Sequence, residues 1–186
     1  MEEKSKRNKG IDNLVYLGKI VLLSLAIIFV MKFFLLPTVI SGPSMENTLQ
    51  NHDYIFVSAQ SYKFLKGTPE YGDIIVFPVV RKDGEIVPGK GKNQENYIKR
   101  VIGLPGDIIT IKDGKVYING KKKNETYIKD GVTDGGIADY KVPKDQVFVM
   151  GDNRLNSEDS RMIGTVPIEI IRGKAIVRIY PHPKKF

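Results

Sequence analysis

The sequence predicts a mostly-β domain of antiparallel sheets with a small β insertion, preceded by one amino-terminal transmembrane helix. Three observations carry that prediction. The long apolar run is confined to the first 36 residues, and from Pro37 onward short β-rich runs alternate with Gly, Pro, Asn and Asp, with no sustained helical period. Asp113-Gly114 stands between the runs Ile108–Lys112 and Val116–Ile118, a two-residue hairpin signal that only an antiparallel pairing uses.

Taken in order, residues 1–13 form a basic tail carrying Lys4, Lys6, Arg7 and Lys9. Residues 14–36 follow as a span long enough to cross a bilayer, with Lys19 and Lys32 near its ends, where their stems can snorkel. The basic flank places the amino terminus on the cytoplasmic side and the rest of the chain, 37–186, on the extracytoplasmic face. A cleaved leader and a core helix are the competing readings of the span; Lys32 and the Phe-Phe-Leu-Leu that follows separate the apolar centre from the small-residue pattern at Val39-Ile40-Ser41. The expected strands beyond it are Tyr54–Ser58, Ile74–Phe77, Tyr97–Ile102, Ile108–Lys112, Val116–Ile118, Gln146–Met150 and Ala175–Tyr180. The Lys-, Gly- and Asn-rich stretches 81–96 and 121–142 read as insertions.

Composition narrows the chemistry. The 186 residues contain no cysteine and two histidines, His52 and His182, so thiolate chemistry is excluded and a histidine-rich metal site has few candidates. No metal or cofactor is expected. Six of the 29 basic and three of the 21 acidic residues precede Pro37, leaving 23 and 18 beyond it. That mild excess lacks a basic stripe with interleaved aromatics, so it suits an anionic lipid surface and not nucleic acid.

Lys99 is the residue with the most to explain. It lies in the run Tyr97-Ile-Lys-Arg-Val-Ile102, where burial would disfavour the ammonium and make the amine available as a base. The bland reading is a strand residue whose ammonium reaches water; Arg100 points to the opposite face, and only one of the two needs to be buried. A serine beside Lys99 would complete a Ser/Lys pair, which needs no histidine. Ser44 follows Gly42-Pro43 eight residues after Leu36, within ~25 Å of the membrane surface for an extended linker. A dense polar segment, Gly151 to Arg161, follows the apolar strand Gln146–Met150. In it Asp159 and Arg161 can pair, and Ser157 can offer a hydroxyl to an amine.

Four segments in order, Ser41-Gly-Pro-Ser-Met-Glu-Asn-Thr-Leu49, Gly72-Asp-Ile-Ile-Val76, Tyr97 to Asp107 and Gly151 to Arg161 followed by Gly164, together with the amino-terminal span, resemble the type I signal peptidases. The resemblance is closest to Gram-positive-like members. It implies a membrane-bound Ser/Lys endopeptidase that removes signal peptides from secreted preproteins with small residues before the cut. It implies Ser44 as nucleophile, with its backbone N–H as an oxyanion donor, and Lys99 as general base. Ser157 would orient the amine, and Asp159 and Arg161 would hold the loop. Ile40, Met45, Leu49, Ile55, Tyr97 and Ile98 would contact substrate, which could add as a strand beside residues 40–42 and 96–98.

The chain departs from that pattern at three positions. Asn47 stands where the family usually has proline, Gly42 stands where some members carry a serine as a second oxyanion donor, and His52 replaces a usual glycine. The altered serine segment motivates an alternative: a signal-peptidase-like binding or surface-assembly factor without catalysis. A self-cleaving repressor-type regulator is disfavoured by the span and by the lack of a DNA-binding domain.

Overall fold

The computed structural model describes residues 2–59, 62 and 67–186, with the side chains of 2–12 and 30–33 left outside the description. The chain divides into two units, Met1–Leu36 and Pro37–Phe186. The first is occupied by helix α1 (Glu2–Phe34). Its described side chains, 13–29 and 34, are exposed. Among the described residues no helix is long and apolar enough to cross a membrane. The basic tail and part of the expected span fall on side chains outside the described residues.

The strands in chain order are β1 (Leu35–Val39), β2 (Tyr54–Ser58), β3 (Ile74–Lys82), β4 (Glu85–Pro88), β5 (Glu95–Gly103), β6 (Ile108–Lys112) and β7 (Lys115–Ile118). They continue with β8 (Lys121–Lys122), β9 (Ile137–Lys141), β10 (Gln146–Met150), β11 (Val166–Pro167), β12 (Gly173–Tyr180) and β13 (Lys184–Lys185); α2 (Ser160–Ile163) and two 3-10 turns, Arg154–Asn156 and Ile168–Ile170, lie between β10 and β12. A nine-stranded sheet runs in the order β1-β2-β12-β3-β5-β10-β11, with β4 beside β3 and β13 beside β12. A four-stranded sheet has the order β8-β7-β6-β9.

Period two explains how β3 and β5 hold the domain together. In β3, Ile75, Phe77 and Val79 enter one apolar cluster with Val101, Val147 and Val149, whereas Ile74 and Val76 enter another with Ile40, Met45, Leu49 and Ile55. A strand covered on both faces reads as a continuous apolar run, which is why 74–79 are buried at every position. A third cluster, built on Ile102, Ile109, Ile111 and Phe148, joins the small sheet to the large one. In β5, Lys99 therefore shares its face with Tyr97 and Val101, and Arg100 shares the other with Ile98 and Ile102.

Half of the stretch 81–96, expected as an insertion, is strand. β3 runs on to Lys82, Asp83-Gly84 turns with both residues at positive φ, and β4 returns with Lys82 opposite Glu85. The charged composition of this hairpin concealed an Asx-Gly turn of the same kind as Asp113-Gly114. Of the stretch 121–142, β8 and β9 belong to the small sheet, and the residues between them cross to the polar loop that follows β10.

Candidate active site

Ser44 opens a tight turn. The Glu46 N–H donates to the Pro43 carbonyl at 3.0 Å, and the Thr48 and Leu49 N–H groups donate to the Met45 carbonyl at 3.1 and 2.8 Å. The turn is fixed from below because Met45 and Leu49 are wholly buried in the core. Burying each contributes ~1.5–3 kcal/mol relative to exposure. The Ser44 carbonyl accepts from the Asn153 N–H at 3.0 Å, tying the turn to the loop after β10.

Lys99 reaches this turn from β5. Its Nζ donates to Ser44 Oγ at 2.9 Å and to the Ile98 carbonyl at 3.1 Å, and it lies 4.8 Å from the centre of the Tyr97 ring. Only 3% of the residue is exposed. Burial pushes the ammonium down to about 8, against the pull of the Asp159 and Glu158 carboxylates, which favour the charged form. An amine so placed can exchange a proton with the serine hydroxyl near neutral pH.

The sequence required only one of Lys99 and Arg100 to be buried; both are. Arg100 is held on the opposite face by a bidentate pair with Asp152, Nε to Oδ1 at 2.8 Å and a terminal nitrogen to Oδ2 at 2.6 Å, and by the Gly72 carbonyl at 2.8 Å. A buried charge persists where such a fork satisfies it. Asp152 thus connects the loop after β10 to the strand that carries Lys99.

Within that loop Asp159 is fully buried and accepts from the Gly151 N–H at 2.9 Å and from Arg161, Nε and a terminal nitrogen each at 2.8 Å. It also caps α2 through the Arg161 N–H. Arg161 makes a further ion pair with Asp134. The Ser157 hydroxyl behaves differently from expectation: it does not bond the Lys99 amine. Among the described residues it is the buried side-chain oxygen or nitrogen without a partner. It is packed against Gly151, where a Cβ would collide with both the Ser157 hydroxyl and the Ser44 carbonyl oxygen. Gly151 is therefore glycine for space, since three segments meet there.

A cleft of about 420 Å³ opens beside the pair, lined by residues 41–44 on one side, 95–99 on the other, and Asn156 and Glu158. The expected substrate contacts divide. Tyr97 and Ile98 line the cleft, with the Tyr97 hydroxyl donating to Glu158 at 2.6 Å. Ile40, Met45, Leu49 and Ile55 do not: each is at most 2% exposed and packs in the core beneath the serine turn. Their apolar side chains support the turn.

The cleft exists because β10 abandons β5. The two strands pair from Phe148 opposite Gly103 to Met150 opposite Arg100, and β10 then ends, whereas β5 continues pairing only with β3 as far as Glu95 opposite Val79. Among the described residues, 95–99 thus keep one open edge. The sequence reading missed Arg154 and Glu125, a buried bidentate pair with nitrogen-to-oxygen distances of 3.0 and 2.6 Å that joins the loop to the segment before β9. Twenty-nine residues separate them, and no local pattern marks the partnership.

A buried lysine hydrogen-bonded to a serine at the wall of a cleft beside an open strand edge is the arrangement used by hydrolases of the Ser/Lys class. The chain belongs to the signal peptidase family, peptidase S26, whose pattern matches residues 14–180. Among its relatives is "Signal peptidase I P" of Bacillus subtilis subsp. natto, 39% identical over 173 residues that cover 87% of this chain and 84% of the relative. Another is "Signal peptidase IB" of Staphylococcus aureus strain COL, 33% identical over 182 residues, 86% of this chain and 88% of the relative. A crystal structure of a signal peptidase I from Enterococcus faecalis V583 aligns at 31% identity with a TM-score of 0.46, covering 57% of this chain and 96% of that one.

Proposed function

We propose that the protein is a membrane-anchored serine endopeptidase that removes signal peptides from exported preproteins, with Ser44 as nucleophile and Lys99 as general base. The observation that carries the reading is the 2.9 Å contact between Lys99 Nζ and Ser44 Oγ at the cleft wall. With the amine neutral, Lys99 accepts the Ser44 proton as Oγ attacks the scissile carbonyl. The Ser44 N–H has no acceptor among the described residues and is available to the oxyanion. The Lys99 ammonium then returns its proton to the leaving amine, and the acyl group stays on Oγ. Water deprotonated by Lys99 releases it. Asp159 and Arg161 keep the loop closed around this centre, and the Ser157 hydroxyl is buried there without a partner among the described residues.

A preprotein enters as an extended strand beside residues 95–99, which recognises its backbone, while Tyr97 and Ile98 meet alternate side chains. Anchoring is supported by the sequence of α1, apolar on all sides from Leu14 to Phe29, with Lys19 as its one charge. The test is cleavage of a preprotein bearing Ala-X-Ala before the cut by the detergent-solubilised chain. Ser44→Ala and Lys99→Ala should each abolish product while the fold is kept, and product from either variant would sink the assignment.

A further inference from the structure

The turn that carries Ser44 is fastened from outside by a segment some eighty residues later. We infer that Asn47, through the carbonyls of Tyr127 and Ile128, is a positioning residue that keeps the Ser44 hydroxyl in line with Lys99. The inference rests on the reading of Ser44 as the nucleophile.

Asn47 lies three residues after Ser44 with φ at 87°, in the left-handed region that few side chains adopt and that a proline ring forbids. In that conformation its Nδ2 donates to the Tyr127 carbonyl at 3.0 Å and to the Ile128 carbonyl at 3.4 Å. The next residue along, Lys129, donates its N–H to the Asp152 carbonyl at 2.9 Å and its Nζ to Glu46 at 2.6 Å. The Tyr127 ring stacks 4.1 Å from the Arg100 guanidinium, which donates to Thr48 Oγ1 at 3.2 Å at the far end of the same turn. Asn153 closes the circuit: its N–H holds the Ser44 carbonyl, and its Nδ2 donates to the Pro43 carbonyl at 3.2 Å and to Glu46 at 3.3 Å. Three distant segments, 43–49, 127–129 and 151–153, are thus bonded pairwise around the nucleophile.

The amide is the part of this circuit with leverage. The Lys129–Glu46 pair is exposed, and such pairs add little. The Asn47 amide joins two main chains and acts on the turn itself. The buried side chains of Met45 and Leu49 fix the turn from below but leave its rotation about that floor to contacts on the outside. A displacement of an ångström at a reacting atom can cost on the order of a hundredfold in rate. Loss of one of several restraints should cost about tenfold.

Two substitutions separate positioning from general support. Asn47→Gly keeps the left-handed backbone accessible and removes the donors; Asn47→Asp keeps the shape and replaces the donating amide with an acceptor facing two carbonyls. Both should lower kcat per titrated active site about tenfold with KM changed less than about threefold, and Asn47→Gly, which adds no charge, should leave the pH midpoint of kcat/KM in place. Wild-type kcat per active site in the Asn47→Asp variant overturns the inference, as does a loss explained entirely by fewer active sites. Equal cleavage by wild type and Ser44→Ala overturns the nucleophile assignment beneath it, a different result from an active enzyme indifferent to Asn47.

Discussion

Lys99 is costly to bury and useful for the same reason. Its folded pKa, about 8, lies below the 10.5 of a free lysine. Below pH 8 both the folded and unfolded chains hold the proton, and burial of the ammonium costs about 3 kcal/mol. Between pH 8 and 10.5 the folded chain has shed a proton that the unfolded chain keeps, so the penalty shrinks as pH rises through that window. Lys99→Met should therefore raise the urea midpoint at pH 7, with the gain fading by pH 10.5; an equal gain at both pH values would contradict the buried ammonium. With Lys99 as the proposed base the active form is the neutral amine, so kcat/KM should climb about tenfold per pH unit below 8 and level off above it. A profile falling from pH 6 to 9 would exclude Lys99 as the base. Gly151→Ala tests space in place of charge. The added methyl would force apart Ser157 and the Ser44 carbonyl, and preprotein cleavage should drop at least a hundredfold, on the order expected for an ångström of misplacement.

At the scale of elements, the site is where three loops converge on the end of β5, and the buried pairs are what hold them. Arg100→Ala would leave the Asp152 carboxylate, fully buried, without its fork, and should destabilise the domain by about 3–5 kcal/mol in chemical denaturation. A cost under 1 kcal/mol would mean that the loop after β10 is held by something else. Asn47→Pro should be worse than Asn47→Gly for activity, because the ring fixes φ near −65° where the turn needs +87°. The elements legible in advance were those with local signals. β2, β6 and β10 have the bounds that alternation and turn residues predict, and Asp113-Gly114 makes its hairpin. What escaped were partnerships across long stretches of chain: Arg154 with Glu125, Arg100 with Asp152, Asn47 with Tyr127. Composition also misled where charged residues surround a strand, as at Glu85–Pro88, of which only Glu85 is exposed and which pairs regularly with β3. The resemblance implies Ile40, Met45, Leu49 and Ile55 as substrate contacts, and in the free protein all four are buried in the core.

For the whole molecule, the +8 charge and the amino-terminal helix describe where the enzyme would work, and the domain from Pro37 describes what it would do there. The full chain should stay in the pellet of carbonate-washed membranes, whereas residues 37–186 alone should be released, still cleave a soluble peptide, and lose most activity toward a membrane-inserted preprotein. Release of the full chain would count against the anchor. The early end of β10 carries a kinetic consequence. In the proposed docking mode a client laid against residues 95–99 would be held mainly through its main chain, so clients of very different sequence would be admitted on similar terms. The cut signal peptide must then peel away from that same edge before another can enter. Turnover would include an unzipping step, and shortening the client upstream of the cut should speed product escape even as it weakens capture.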